Sequence, residues 1–161
     1  MSEQEHRPVA VRPAREDDIE ALLIVEQQCF DVYYYGRYKL SRYDFHSYLE
    51  DTACIFLVAA ADSQVAGYVL GPAGSWRARH LAHIDSIAVL PHRQNQGIGA
   101  RLLESFIEQA RRRGCTKVTL EVATANAVGL AFFATHGFRE LRPLPHYYGR
   151  HLHGLLLSAD I

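Results

Sequence analysis

Ser86-Ile87-Ala88-Val89-Leu90-Pro91-His92-Arg93-Gln94-Asn95-Gln96-Gly97-Ile98-Gly99-Ala100-Arg101-Leu102-Leu103 reads as strand, tight loop and helix. Ile87, Ala88 and Val89 form a short apolar run that ends at Leu90-Pro91, as a buried strand does. From Ile98 the period changes to that of a helix. Leu102, Leu103, Phe106, Ile107 and Ala110 recur at i, i+3 and i+4 and make one apolar stripe. Gln94-Asn95-Gln96-Gly97-Ile98-Gly99 joins the two. Its glycines let backbone approach a ligand closely. The first amides of a helix have no internal acceptor and stand at the positive end of its dipole. Such a turn is suited to a pyrophosphate. The same residues also suit a strand-to-helix turn that binds nothing. The Gly-x-x-x-x-Gly-Lys-Ser/Thr phosphate loop and the three-glycine dinucleotide pattern are both absent from the chain.

The 161 residues suit one domain with one sizeable core, spanning 1–161. A formal charge of −1 gives no basic field for nucleic acid or a membrane surface, so neither is expected as a partner. No apolar run reaches spanning length, and Met1 to Pro8 lacks a signal-peptide core. Cys29, Cys54 and Cys115 are scattered and show neither metal-ligand spacing nor a disulfide framework. The expected setting is therefore reducing and cytoplasmic. His151-Leu152-His153 is the closest histidine pair and lacks further partners as a metal site, so no metal is expected.

Outward from the central stretch, Val9 to Arg12 reads as a first strand and Asp17 to Phe30 as a helix with acids at its start. Glu26 falls at a core-facing phase of that helix. It either lies at the edge of the stripe or faces a cleft, where it would attract an amine. Asp31 to Leu40 is tyrosine-rich and has no clean period. Ser41-Arg42-Tyr43-Asp44 has the form of a capping box and opens a helix over Arg42 to Glu50. Cys54 to Ala61 and Val65 to Leu70 read as a hairpin, Gly71 to His80 as a loop, and His83 to Val89 as one strand. The long helix ends at Arg111-Arg112-Arg113-Gly114. Thr116 to Val122 is a strand, and Asn126 caps a helix over Ala127 to His136. Phe138 to Leu141 and Leu152 to Leu157 are the last strands, with a loop holding Tyr147-Tyr148 between them. The predicted fold class is α/β of the α+β type, neither a barrel nor a doubly wound sheet.

Ile87-Ala88-Val89-x-Pro91, Gln94-x-x-Gly97-x-Gly99-Ala100-x-Leu102-Leu103, Leu120-Glu121-Val122, Asn126 and Gly137-Phe138, in this order, resemble the GNAT superfamily of N-acetyltransferases. The resemblance covers nearly the whole chain. It implies a mixed, mostly antiparallel central sheet of about seven strands with four helices. Within the superfamily, Leu120-Glu121-Val122 with Asn126, and Tyr147-Tyr148-Gly149, are similar to the ribosomal-protein alanine N-acetyltransferase group. That group has an acidic pair after the tyrosines, where this chain has Arg150-His151-Leu152-His153.

The resemblance implies acetyl-CoA as acyl donor and a primary amine as acceptor, a protein N-terminus or a small amine. Ile87, Ala88 and Val89 would meet the pantetheine arm. Gln94, Asn95, Gln96, Gly97, Ile98, Gly99 and Ala100 would surround the pyrophosphate, and Asn126 and Phe133 would lie by the thioester end. Glu121 matches the general base. Phe133 stands where the family usually has a tyrosine that protonates the thiolate, and phenylalanine lacks the proton. Tyr147 and Tyr148 are then candidate acids, with His136 a further one. Glu26, Phe30, Tyr33 and Tyr147 are candidate acceptor contacts. A protonated amine is no nucleophile, so a base must take its proton before it attacks the thioester. A strand N–H such as that of Val89 would steady the oxyanion. Two further readings remain at the level of sequence: acetylation of a small molecule or of lysine, and an acyl-CoA-binding regulatory protein without turnover. A monomer and a homodimer are both compatible with the sequence.

Overall fold

The structure, a computed structural model, describes residues 8–30, 39–61, 64–76 and 79–161. Among the described residues, eight strands form one sheet. They are β1 (Ala10–Pro13), β2 (Cys54–Ala61), β3 (Gln64–Trp76), β4 (Arg79–Ile84), β5 (Ser86–Val89), β6 (Lys117–Ala123), β7 (Arg139–Gly149) and β8 (Leu152–Asp160). Four α-helices occur among the described residues: α1 (Ile19–Cys29), α2 (Arg42–Glu50), α3 (Ile98–Arg112) and α4 (Ala127–Thr135). The strands follow the order β1-β2-β3-β4-β6-β8-β7, with β5 also pairing β3. Among the described residues, every strand pairing is antiparallel except β4 with β6.

The continuous apolar run of β2 has a direct cause. Ile55, Leu57 and Ala59 join the core under α3, while Phe56 and Val58 join the core under α1 and α2. With both faces covered, alternation disappears from the sequence. On α3 the predicted stripe is the buried one: Ile98, Leu102, Leu103, Phe106 and Ala110. Ser41 caps α2 as expected, its hydroxyl accepting from the Asp44 N–H (3.3 Å) while the Asp44 carboxylate accepts from the Ser41 N–H (2.7 Å).

Two stretches differ from the sequence reading. Gly71 to Trp76, expected as loop, continues β3 into a second pairing with β4. Gly71 permits this, because a Cβ there would lie 1.9 Å from the His83 carbonyl oxygen. Correspondingly, His83 to Val89 is two strands rather than one, broken at Asp85. The segment after Leu141, also expected as loop, belongs to β7. Its register slips between Leu144 and Gly149, so residues 145–148 bulge from the ladder and carry Tyr147 and Tyr148. His146 (φ 57°) and His151 (φ 63°) take left-handed conformations there. The His146 N–H donates to His153 Nδ1 (3.0 Å) and the His151 N–H to His146 Nδ1 (3.2 Å). Among the described residues, no group of three or more His, Cys, Asp or Glu is placed to hold a metal ion. Among the same residues, no helix is long and apolar enough to cross a membrane.

Candidate active site

The sheet forks at Asp85. β4 pairs β6 in parallel as far as Ile84 opposite Leu120. At Asp85 the chain turns its N–H to the Leu70 carbonyl (3.0 Å), and β5 then pairs with β3. Beyond Leu120, β6 pairs with β8. The space between β5 and the end of β6 is a cleft of about 700 Å³. Its walls come from β5, the start of α3, the end of β6, α4 and the β7 bulge.

Backbone direction follows from one bond. The Leu90 N–H donates to the Ala66 carbonyl on β3 (2.8 Å). Alternation along an antiparallel strand then turns the N–H and C=O groups of Val89 and Ile87 away from β3, toward the cleft. The Val89 carbonyl accepts from the Gln94 side-chain amide (3.0 Å) and from the Cys29 thiol (3.2 Å). Burial, helped by Glu26, pushes the Cys29 thiol up to about 11, so this thiol is a wall and not a nucleophile.

The loop before α3 turns on two left-handed residues, Asn95 (φ 57°) and Gly97 (φ 77°). The first bond of α3 runs from the Arg101 N–H to the Gly97 carbonyl (3.1 Å). The N–H groups of Ile98, Gly99 and Ala100, residues that line the cleft, therefore lack helical acceptors, the arrangement that suits a pyrophosphate. A Cβ on Gly99 would reach 3.5 Å from the Phe132 ring, so larger side chains there would fill the passage. Asn126 caps α4 with its oxygen on the Gly129 N–H (2.9 Å), which keeps its amide nitrogen as a donor. Gly129 is needed for that cap, since a Cβ would sit 2.6 Å from the Asn126 nitrogen.

Glu121 lies just past the fork. Its carboxylate accepts from His83 Nε2 at 2.7 Å. A carboxylate only accepts, so Nε2 carries the proton, and the Thr119 hydroxyl donates to Nδ1 of the neutral ring at 2.6 Å. Asp85 stands 3.9 Å from the same imidazole and accepts from the Tyr48 hydroxyl at 2.5 Å. Burial alone would lower the His83 pKa, but the bond to Glu121 and the charges of Glu121 and Asp85 outweigh it and raise it. Burial raises the Asp85 carboxyl, against the Tyr48 bond and the His83 charge.

The structure brings most of the predicted site residues together. Ile87, Ala88, Val89, Gln94, Asn95, Gly97, Ile98, Gly99, Ala100, Asn126, Phe133, Glu121, Tyr147, Tyr148 and Phe30 all line the cleft. Phe133 is buried against Phe132 and Phe138. Gln96 stands outside the wall and ties the loop, accepting from Arg93 and donating to the His92 carbonyl (both 3.3 Å). Glu26 is also outside it. It is buried at 3% exposure, accepts from the Leu40 N–H (2.8 Å) and bonds the buried Tyr68 hydroxyl. Tyr33 lies outside the described residues. Sequence reasoning missed His83, Asp85 and Tyr48. The available signal was a histidine and an aspartate inside the apolar run Leu81 to Val89, where a strand has no structural need of them.

Residues 19–138 match the model of the Acetyltransferase (GNAT) family. An N-alpha-acetyltransferase of Sulfurisphaera tokodaii is 27% identical over 161 aligned residues, covering 94% of this chain and 92% of that protein. One of Sulfolobus acidocaldarius is 30% identical over 129 residues, covering 74% and 76%. The crystal structure of the Escherichia coli ribosomal-protein-S18-alanine N-acetyltransferase superimposes with a TM-score of 0.81 at 22% identity, covering 95% of this chain and 94% of that one. The chain therefore belongs to the GNAT family of acetyltransferases, enzymes whose acyl donor is acetyl-CoA.

Proposed function

We propose that the chain is a single N-terminal acetyltransferase domain, moving the acetyl group of acetyl-CoA to the α-amine of a protein or peptide. The observation that carries this reading is the fork. Around it, Glu121, bonded to His83, and the free-amide start of α3 line one cleft. The names of the two N-alpha-acetyltransferase relatives support a protein N-terminus as acceptor.

In this reading the pyrophosphate lies on the N–H groups of Ile98, Gly99 and Ala100, and the pantetheine arm runs along the outward backbone of Ile87 and Val89. Asn126 and Phe133 flank the thioester end. Glu121 takes a proton from the ammonium group, directly or through water, while His83 fixes the carboxylate by its Nε2–H bond. The free amine attacks the thioester carbonyl, and the Val89 N–H steadies the oxyanion. The C–S bond then breaks and the thiolate leaves. Tyr147 or Tyr148 supplies its proton, since Phe133 has none to give. Phe30 and Tyr147 border the acceptor. Holding both reactants in one cleft accounts for much of the acceleration.

The test is a rate comparison at fixed acetyl-CoA, with peptides differing in their first residue set against small polyamines and free lysine. The reading expects kcat/KM for at least one peptide class to exceed every small amine by tenfold or more. Equal or better turnover of small amines would overturn it.

A further inference from the structure

We propose that Asp85 and Ser86 receive the ammonium group of the acceptor and hold it beside Glu121. The inference rests on the reading of the cleft as an acetyltransferase site. It names two acceptor-binding residues apart from the base and the donor loop. Asp85, Ser86 and Glu121 all line the cleft. Asp85 is exposed and Ser86 half-buried, so both are open to it. Their side chains lie on the α1–α2 face of the sheet. Tyr48, on α2, donates to Asp85 Oδ2 at 2.5 Å. Tyr68, in the core under α1 and α2, bonds Ser86 Oγ at 2.7 Å. Asp85 Oδ1 stands 3.9 Å from His83 Nε2, the nitrogen that Glu121 holds at 2.7 Å. The two carboxylates thus meet around one ring nitrogen, and Ser86 follows Asp85 directly in the chain.

The hydrogen inventory says what this wall can bind. The Nε2 hydrogen of His83 goes to Glu121, which leaves Asp85 Oδ1 with no hydrogen bond from any described residue. Glu26, buried on α1, accepts from the Leu40 N–H (2.8 Å) and from the Tyr68 hydroxyl. A tyrosine has one hydrogen to give. Tyr68 therefore takes the hydrogen of Ser86, and Ser86 Oγ shows the cleft lone pairs only. Glu121 and Asp85 Oδ1 are acceptors as well. Three neighbouring groups on one wall thus offer acceptors and no donor. An amide or an alcohol would set a further acceptor oxygen against them. A primary ammonium group brings N–H donors alone, with the charge that carboxylates attract. Among the described residues, no lysine or arginine lines the cleft to fill that place. The acceptor then enters in its protonated form, with its N–H groups beside the carboxylate proposed to take the proton.

The test uses a peptide that the wild-type chain acetylates and its des-amino counterpart, in which hydrogen replaces the α-amine, as a competitive inhibitor. Asp85→Asn and Ser86→Ala are compared with wild type, with melting midpoint and acetyl-CoA affinity measured alongside. Asp85→Asn is expected to raise KM for the peptide about tenfold or more, and Ser86→Ala about threefold or more. The inhibition constant of the des-amino peptide should change less than about twofold in both, since it makes no ammonium contact. An unchanged KM in Asp85→Asn overturns the proposal. So does a parallel rise in KM and in the inhibition constant, which marks an altered wall and not a lost ammonium contact. A fall in kcat with KM unmoved also overturns it, by assigning Asp85 to the His83–Glu121 pair alone. Failure of wild type to acetylate any peptide or amine would instead remove the reading of the cleft, and this proposal with it.

Discussion

Glu121 and His83 are 2.7 Å apart, and that pair carries the proposed chemistry. Glu121→Gln keeps the shape and removes the proposed base. Its kcat is expected to fall by roughly 10²–10⁴ at neutral pH, with acetyl-CoA affinity unchanged and the deficit shrinking as free amine accumulates at higher pH. Wild-type kcat in a folded Glu121→Gln enzyme would remove Glu121 from the mechanism. His83 also makes a stability statement. Its folded pKa is raised above the unfolded value, by Glu121 and Asp85 against burial. The protonated pair therefore stabilises the fold below the unfolded imidazole pKa of about 6.5, and that contribution is lost as pH rises through the raised value. Denaturant melts of wild type and His83→Gln should differ more at about pH 5.5 than at about pH 8.5. A difference independent of pH would show that His83 carries no linked charge. Tyr147→Phe and Tyr148→Phe separate the two candidate acids. The one that protonates the thiolate should lose kcat with little change in KM, and adding Phe133→Tyr to it should restore part of the rate. Normal turnover in both single variants would leave water, or unassisted departure of the thiolate, as the better account.

At the level of elements, the glycine loop and α3 were legible because their signals are local. A change of period from strand to helix, two glycines and an apolar stripe all lie within eighteen residues of Ser86–Leu103. The caps at Ser41 and Asn126 were legible for the same reason. The fork was not. Its cause is a contact between segments, the Gly71 backbone passing the His83 carbonyl, and no local pattern announces which strand a residue will meet. That is also why His83 escaped notice. Its partner Glu121 lies 38 residues away, and only the parallel register of β4 on β6 puts Thr119 beside His83 and Glu121 within reach of it. The β7 bulge was hidden by its prolines and glycine, which read as loop although the chain stays in the sheet on either side. Two substitutions test these elements. Gly99→Val should weaken acetyl-CoA binding by at least about 2 kcal/mol in a folded protein, by blocking the approach to the α3 amides. Calorimetry with unchanged affinity would count against the loop as the donor site. Gly71→Ala should cost about 2 kcal/mol or more of stability, because the new methyl meets backbone and not a movable side chain. A denaturant midpoint equal to wild type would mean that the crossing at Gly71 is looser than 1.9 Å implies.

Across the whole molecule, two apolar cores on opposite faces of one twisted sheet hold the fork open. The α3 face packs the start of α3, the proposed donor end, through Ile98, Leu102 and Leu103, while the α1–α2 face holds Tyr68, whose hydroxyl bonds Glu26. Arg113 joins the end of α3 to the start of β2 through the carbonyls of Ala53 (2.9 Å) and Cys54 (3.1 Å). The amides of α3 and the carboxylate of Glu121 stand on elements packed into one core, a frame that suits a reaction between two bound partners. The central claim is that this frame delivers an acetyl group to an α-amine under control of Glu121. Its most direct test is a single peptide carrying both a free N-terminal amine and an internal lysine. The peptide is incubated with acetyl-CoA and either wild type or Glu121→Gln, and tandem mass spectrometry locates the added acetyl group. The account predicts acetyl on the N-terminal nitrogen with wild type and at least a hundredfold less with Glu121→Gln at neutral pH. Acetyl found chiefly on the lysine, or equal N-terminal acetylation by both proteins, would contradict it.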